Sequence, residues 1–183
     1  SGTYSLSGQN STAKLTISAE AQAAALEQLA GRSGSVGVYN YKTGEILCAA
    51  SSPTYDPDNV PDIAGDTTGA YDGVYVNRFF NASFVPGSIF KLVTAAAALE
   101  NLPNLEERIF QCDGSFNVEG DDVNCNNVHG TVDLQPALAK SCNVVFGELA
   151  LELGPDTLTQ YAEKLGVTER FSVDGFKTQA GAS

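Results

Sequence analysis

A serine and a lysine three positions apart open the most apolar helix that the sequence predicts. Ser88 and Lys91 follow a Pro-Gly pair, and the residues from Ser88 to about Asn101 are almost all apolar. Residues i and i+3 lie on the same face of a helix. A serine hydroxyl is a weak nucleophile until a base takes its proton, and lysine can be this base when burial keeps it uncharged. The pattern predicts a Ser88 nucleophile with Lys91 as its base.

The helix start adds a second catalytic feature. Backbone N–H groups in the first turn have no partner within the helix, and the positive end of the helix dipole favours negative charge. The N–H of Ser88 could therefore contribute to an oxyanion hole. The alternative is that Ser88 only caps the helix and Lys91 is a solvated charge. Ser11 and Lys14 repeat the spacing, but they lie in a Gly/Ser-rich segment and receive no predicted role.

Ser141 and Asn143 form a second polar pair, on or beside a predicted helix. A hydroxyl and an amide two positions apart can relay a proton and hold a substrate carbonyl. Ser115 and Asn117 show the same spacing inside a polar, Gly-rich stretch, and we interpret that copy as part of a turn.

The cysteines and the histidine indicate no cofactor. Cys112 and Cys125 flank the polar stretch and could form a disulfide bond or remain two free thiols. We interpret Cys48 and Cys142 as small buried side chains. The spacings match no common zinc pattern, so the sequence predicts neither a metal site nor another cofactor. His129 is the only histidine, which gives a Ser-His-Asp triad little support, and we interpret it as a loop or helix-entry residue.

The elements that position these residues follow from caps and periodicity. Residues 1–14 are predicted as a linker or entry segment, followed by a short strand at 15–17 and a helix from Ser18 to about Gly31. Strands at 35–39, with Val36 and Val38 inward, and at 45–50 are joined by a turn at 40–44.

The rest of the chain, from residue 51 onward, is predicted to be a long loop followed mostly by helices. Residues 51–86 are predicted as a long surface loop, and the helix from Ser88 is predicted to be central because it is apolar nearly all round. Residues 133–153 are predicted as helical with a break near Ser141, and a last helix covers 156–165. The tail, 167–183, is predicted to be weakly structured.

Charge and composition exclude several classes of protein. The chain has 183 residues, with 10 Lys and Arg against 22 Asp and Glu, a net charge of −12. This acidity argues against binding nucleic acid, and the 43% of hydrophobic residues argue against a disordered acidic chain. No apolar run is long enough to cross a membrane. Because no signal peptide and no Met are found, we expect an excised segment of a larger protein.

Taken in chain order, these motifs resemble the transpeptidase domain of bacterial penicillin-binding proteins. The resemblance runs from about Leu15 to Gly166. It rests on the hairpin at residues 34–53, on Asn77-Arg78 before Pro86-Gly-Ser-Ile-Phe-Lys91, and on His129-Gly130 before Ser141-Cys-Asn143.

The resemblance implies an α+β fold of the penicillin-binding-protein and serine β-lactamase type, with an antiparallel sheet packed against helices. It implies that Ser88 is acylated by a peptidoglycan stem peptide or by a β-lactam. Lys91 would be the general base, with Ser141 and Asn143 as proton relay and substrate contact. The domain would lie on the extracytoplasmic face of the bacterial membrane.

The family's third motif, Lys-Thr-Gly or Lys-Ser-Gly, has no counterpart in the expected place. Lys42-Thr-Gly44 precedes Ser88 and is interpreted as a turn, while Lys177-Thr-Gln179 lacks the glycine. We therefore expect residues 15–183 to be the N-terminal portion of one transpeptidase domain, without the C-terminal strands. The sheet should then need the rest of the domain or a partner chain to complete it.

Two other functions remain open at this stage. One is a β-lactamase or D,D-carboxypeptidase on the same fold, which the deacylation rate with penicillin would distinguish. The other is a non-catalytic β-lactam sensor or interaction module.

Overall fold

The computed structural model describes residues 14–173 and 175–181. The chain divides into two compact units, Ser1–Ala82 and Ser83–Ser183. Ser11 and nearly all of the predicted linker at 1–14 lie outside the described residues.

The first unit is a β-hairpin covered by helices. Its elements are α1 (Ala19–Leu29), β1 (Gly34–Tyr39), β2 (Ile46–Ser52) and α2 (Arg78–Asn81). β1 and β2 pair antiparallel, from Gly34 opposite Ser52. Ser18 caps α1 as predicted, because its Oγ accepts a hydrogen bond from the N–H of Ala21. The predicted helix, hairpin and turn are all present.

The core of this unit lies between α1 and β2, and it buries Ala25, Leu29, Cys48 and Ala50. α2 packs on the hairpin at Gly37, where the Phe79 ring occupies the place that a Cβ at residue 37 would take.

Three predictions for this unit are wrong. Residues 15–17 form no strand, although Thr16 and Ser18 donate hydrogen bonds to the carbonyls of Ile46 and Leu47. Val38 is 42% exposed, because the inward alternation of β1 ends after Val36. The predicted loop at 51–86 contains the short helix α2.

The second unit begins with a 3-10 turn, Gly87–Phe90, and α3 (Lys91–Asn101), followed by a second 3-10 turn, Leu105–Glu107. Then follow β3 (Phe110–Cys112), β4 (Ser115–Val118), β5 (Asp121–Asn124), β6 (Gly130–Val132), α4 (Leu134–Ala139), α5 (Asn143–Lys164), β7 (Ser172–Val173) and β8 (Phe176–Lys177). Among the described residues of this unit, three antiparallel pairs form: β3 with β6, β4 with β5, and β7 with β8.

The core of the second unit is centred on the packing of α3 against α5. Small alanines at 97 and 98 allow close approach, and Val145 and Leu149 are fully buried. α3 is a central helix, as predicted, with Val93, Thr94, Ala95, Ala97 and Ala98 buried and Leu92 57% exposed.

Two segments of the second unit are more regular than predicted. The polar stretch after Cys112 forms the hairpin β4–β5, so Ser115 and Asn117 lie in a strand and not in a turn. The tail forms the short pair β7–β8. The predicted break near Ser141 separates α4 from α5, and non-helical Gly154 (φ 75°) interrupts α5 where a helix end was predicted.

Helices and antiparallel strand pairs make up both units, in agreement with the predicted α+β class. Within the described part of the chain, β1 and β2 pair only with each other. None of the helices described there has the length and apolar character needed to cross a bilayer.

Candidate active site

The four residues predicted from the two motifs meet at one point of the second unit. The Nζ of Lys91 lies 3.1 Å from the Oγ of Ser88, 3.0 Å from the Oγ of Ser141 and 2.6 Å from the Oδ1 of Asn143. The hydroxyl of Ser141 donates to the Oγ of Ser88 at 3.0 Å. The amine thus touches both hydroxyls and the amide.

Ser88 lies in the 3-10 turn that leads into α3. Gly87 begins this turn with a φ of 54°, a value that favours glycine. α3 itself starts at Lys91, so the α-helix begins three residues later than predicted. Ser88 is exposed and Lys91 is half-buried, which leaves the hydroxyl open to a substrate and partly shields the amine.

Ser141 is positioned by the end of α4. Its N–H donates to the carbonyl of Leu138, and the N–H of Cys142 donates to the carbonyl of Ala137. This is the Schellman pattern, in which the residue at the position of Ser141 adopts a left-handed conformation. Ser141 has a φ of 54° where glycine is usual, and this conformation directs its hydroxyl toward Lys91.

Asn143 is the first residue of α5 and is held by both ends of its amide. Its Oδ1 accepts from Lys91, and its Nδ2 donates to the carbonyl of Asn124 at 2.7 Å. Because β5 ends at Asn124, the β4–β5 hairpin fixes the orientation of this amide.

The arrangement can move a proton between hydroxyls. Ser88 is within hydrogen-bond distance of both the amine and the second hydroxyl, the geometry needed for a nucleophile and its base. An uncharged Lys91 could take the proton of Ser88, and Ser141 could pass it on to a leaving group.

The Lys42-Thr43-Gly44 copy of the third motif lies in a turn, as predicted. The Oδ1 of Asn40 accepts from the N–H groups of Lys42 and Thr43, and Gly44 has a φ of 78°. Such side-chain contacts to the backbone are typical of an Asx turn.

A thiol and imidazole cluster adjoins the second motif, and the sequence did not predict it. The ligand-type atoms of Cys112, Cys125, His129 and Cys142 all lie within 4.8 Å of one another. All four cysteines of the chain are free thiols, which agrees with the free-thiol alternative. The feature of the sequence that could have indicated this cluster is Cys142, which lies between Ser141 and Asn143.

The environment shifts the pKa values of two of these thiols in opposite directions. Burial tends to raise the pKa of Cys112, but backbone hydrogen bonds from His129 and Gly114 outweigh it and lower the pKa to about 7. Burial raises the pKa of Cys142 to about 12.

A sequence model of one family, described as penicillin binding protein transpeptidase domain, matches residues 34–183. The chain belongs to this family. The matched range contains both motifs and the predicted hairpin, so the resemblance found from the sequence is confirmed.

Curated relatives of the chain also carry the names of this family. The chain is 32% identical over 149 residues to peptidoglycan D,D-transpeptidase PbpA of Mycolicibacterium smegmatis, a match that covers 73% of the chain and 30% of the relative. It is 31% identical over 172 residues to penicillin-binding protein PbpB of the same organism, covering 89% of the chain and 26% of the relative. The chain thus spans less than a third of these relatives.

Solved transpeptidase structures share the fold. The D,D-transpeptidase domain of a peptidoglycan glycosyltransferase from Eggerthella lenta superposes with a TM-score of 0.76 at 32% identity, covering 91% of this chain and 40% of that one. Penicillin-binding protein A from M. tuberculosis, solved as a ceftriaxone acyl-enzyme complex, gives 0.67 at 27% identity, covering 83% and 38%. The predicted family fold is confirmed.

Proposed function

We propose that the chain is part of a serine-type peptidoglycan D,D-transpeptidase that cross-links cell-wall stem peptides and is acylated by β-lactams. Residues 15–183 would form the N-terminal portion of its single transpeptidase domain. The observation that carries the proposal is the contact of Lys91 with Ser88, Ser141 and Asn143.

Ser88 is the proposed nucleophile. Its Oγ attacks the carbonyl carbon of the penultimate D-alanine of a stem peptide, while its proton passes to uncharged Lys91. The bond from this carbonyl to the nitrogen of the terminal D-alanine breaks, and the nitrogen receives a proton through Ser141. Free D-alanine leaves, and the peptide remains as an ester on Ser88.

A second peptide completes the transfer. Its amine attacks the ester carbonyl, gives up a proton to the same network, and displaces the Oγ of Ser88, which regains its hydrogen. The product is a new amide cross-link. Asn143 is proposed to hold the substrate beside the ester.

The names of a relative and of a structural neighbour support the proposed partners. One relative is named a peptidoglycan D,D-transpeptidase, and a structural neighbour was solved as a β-lactam acyl-enzyme. We assign stem peptides and β-lactams to this chain on that basis. We propose that the domain lies on the extracytoplasmic face of the membrane, where cell-wall cross-linking takes place.

The test is intact-mass analysis of the complete transpeptidase domain that contains this chain, with and without penicillin. We expect one covalent penicillin on the unaltered protein and none on Ser88→Ala, because this variant lacks the proposed nucleophile. Ser11→Ala, the matched control in the second Ser-x-x-Lys copy, should keep the adduct.

An adduct that persists in Ser88→Ala would end the assignment of the nucleophile. Rapid loss of the adduct by hydrolysis would point instead to a β-lactamase. A stable adduct without transfer of a D-alanyl donor to an amine acceptor would point to a sensor.

A further inference from the structure

We propose that Cys112, Cys125, His129 and Cys142 bind one zinc ion. They offer three thiol sulfurs and one imidazole nitrogen, a donor set typical of structural zinc sites. This is the one group of metal-binding side chains found among the described residues that includes cysteine. The site goes beyond the proposed transpeptidase function, which requires no metal.

Three of the six separations between the ligand atoms match those of a tetrahedral zinc site, and all six are within 4.8 Å. Zn–S bonds of about 2.3 Å and Zn–N bonds of about 2.0–2.1 Å place two sulfurs about 3.8 Å apart and a sulfur and a nitrogen about 3.6 Å apart. The Sγ atoms of Cys112 and Cys125 are 3.7 Å apart, and those of Cys125 and Cys142 are 3.6 Å apart. The Nδ1 of His129 lies 3.5 Å from the Sγ of Cys112.

Backbone N–H groups are directed at two of the sulfurs. The N–H groups of Asn143 and Val144 donate to the Sγ of Cys125 at 3.0 and 3.3 Å. The N–H of Val145 donates to the Sγ of Cys142 at 3.5 Å, at the N-terminus of α5. Such donors stabilise thiolates and orient them toward a metal.

Burial also favours a metal site. Cys112 and Cys142 have no exposed surface, and Cys125 and His129 are half-buried. A disulfide bond between Cys112 and Cys125 would use two of these groups and leave Cys142 and His129 without a role. A zinc ion would use all four.

The four ligands come from four separate elements of the second unit, which lie far apart in the sequence. Cys112 ends β3, Cys125 follows β5, His129 precedes β6, and Cys142 caps α5. A metal ion that joins such elements contributes its binding free energy to folding.

The ion would also support the second motif. Cys142 lies between Ser141 and Asn143, and Cys125 follows Asn124, whose carbonyl accepts from the amide of Asn143. Zinc bound to both cysteines would thus hold the motif from two sides. This positioning role, unlike the site itself, rests on the proposed function.

Binding can be tested on the 183-residue chain, purified under reducing conditions and supplied with zinc or cobalt(II). We expect one zinc per chain by elemental analysis. Cobalt(II) should give the intense visible bands of tetrahedral thiolate coordination.

Ligand variants define the site. Cys112→Ser, His129→Ala and Cys142→Ser should each weaken zinc binding more than about 100-fold, beyond what the loss of an outer contact costs. Cys48→Ser is the matched control, because Cys48 is fully buried in the core of the first unit. This control should bind one zinc with unchanged affinity.

Three results would overturn the proposal: less than one zinc bound to the unaltered folded chain, octahedral cobalt bands, or equal affinity of the ligand variants and the control. The cobalt spectrum uses the unaltered chain, so it remains decisive if a variant fails to fold. Since the readout is metal binding, a negative result leaves the transpeptidase assignment untouched, and failure of penicillin acylation leaves the zinc site untouched.

Discussion

At position 141 a serine takes the backbone conformation that usually favours glycine. Left-handed φ costs an L-residue roughly 1–2 kcal/mol. Here the conformation directs the hydroxyl to the Nζ of Lys91 and the Oγ of Ser88. Strain at one residue is thus coupled to the assembly of the hydrogen-bond network.

Two substitutions at Ser141 separate strain from chemistry. Ser141→Gly relieves the left-handed strain and Ser141→Ala keeps it. The glycine variant should therefore be more stable than the alanine variant by about 1 kcal/mol in chemical denaturation of the 183-residue chain. Both variants lose the hydroxyl, and both should slow penicillin acylation of the complete domain by at least about 100-fold. Unaltered acylation in either variant would remove Ser141 from the proton relay.

At the scale of elements, α5 connects the two halves of the site. Its first turn carries Asn143, and one turn later Gly147 faces the ring of Phe116 in the β4–β5 hairpin. A Cβ at residue 147 would lie 2.6 Å from two ring carbons. The close approach of α5 and the β4–β5 hairpin therefore depends on the absence of a side chain at Gly147. The hairpin in turn holds the amide of Asn143 through the carbonyl of Asn124.

Gly147→Ala tests this contact by the sign of its effect. In an unhindered helix the change would stabilise the protein by about 1 kcal/mol. Against Phe116 we expect overpacking that lowers the free energy of unfolding by about 1–3 kcal/mol, measured by chemical denaturation of the chain. The double variant Phe116→Leu, Gly147→Ala should recover part of the loss. Stabilisation by the single variant would show that the hairpin moves away at no cost.

At the scale of the whole molecule, the sequence holds two of the three motifs that the family resemblance predicts. Each of the two compact units has its own core. The chain covers 40% of the Eggerthella lenta domain. The proposed site therefore has its nucleophile and proton relay, but it lacks a counterpart of the family's third motif, which we expect to help position the substrate.

We expect the isolated 183-residue chain to react with penicillin at least about 100-fold more slowly than the complete domain, because an unpositioned substrate loses most of the benefit of a preformed site. A fluorescent penicillin followed over time would measure both rates, with Ser88→Ala as the background. Equal rates in a chain shown to be monomeric would mean that the third motif is dispensable for acylation.

The sequence alone determined the parts of the site that depend on local geometry. The three-residue spacing of Ser88 and Lys91 places them on one helical face, and the turn chemistry at 40–44 depends only on neighbours. The break before α5 was also predicted. These features follow from rules that act over a few residues.

The tertiary structure alone decided which distant residues meet. Ser88 and Ser141 are 53 positions apart, and their contact depends on the packing of α3 against α5. The cluster around Cys142 draws on four separate elements, and no spacing rule predicted it. Val38 and Leu92 are exposed for the same reason, since an apolar pattern shows which residues could be buried and only the packed neighbours decide which of them are.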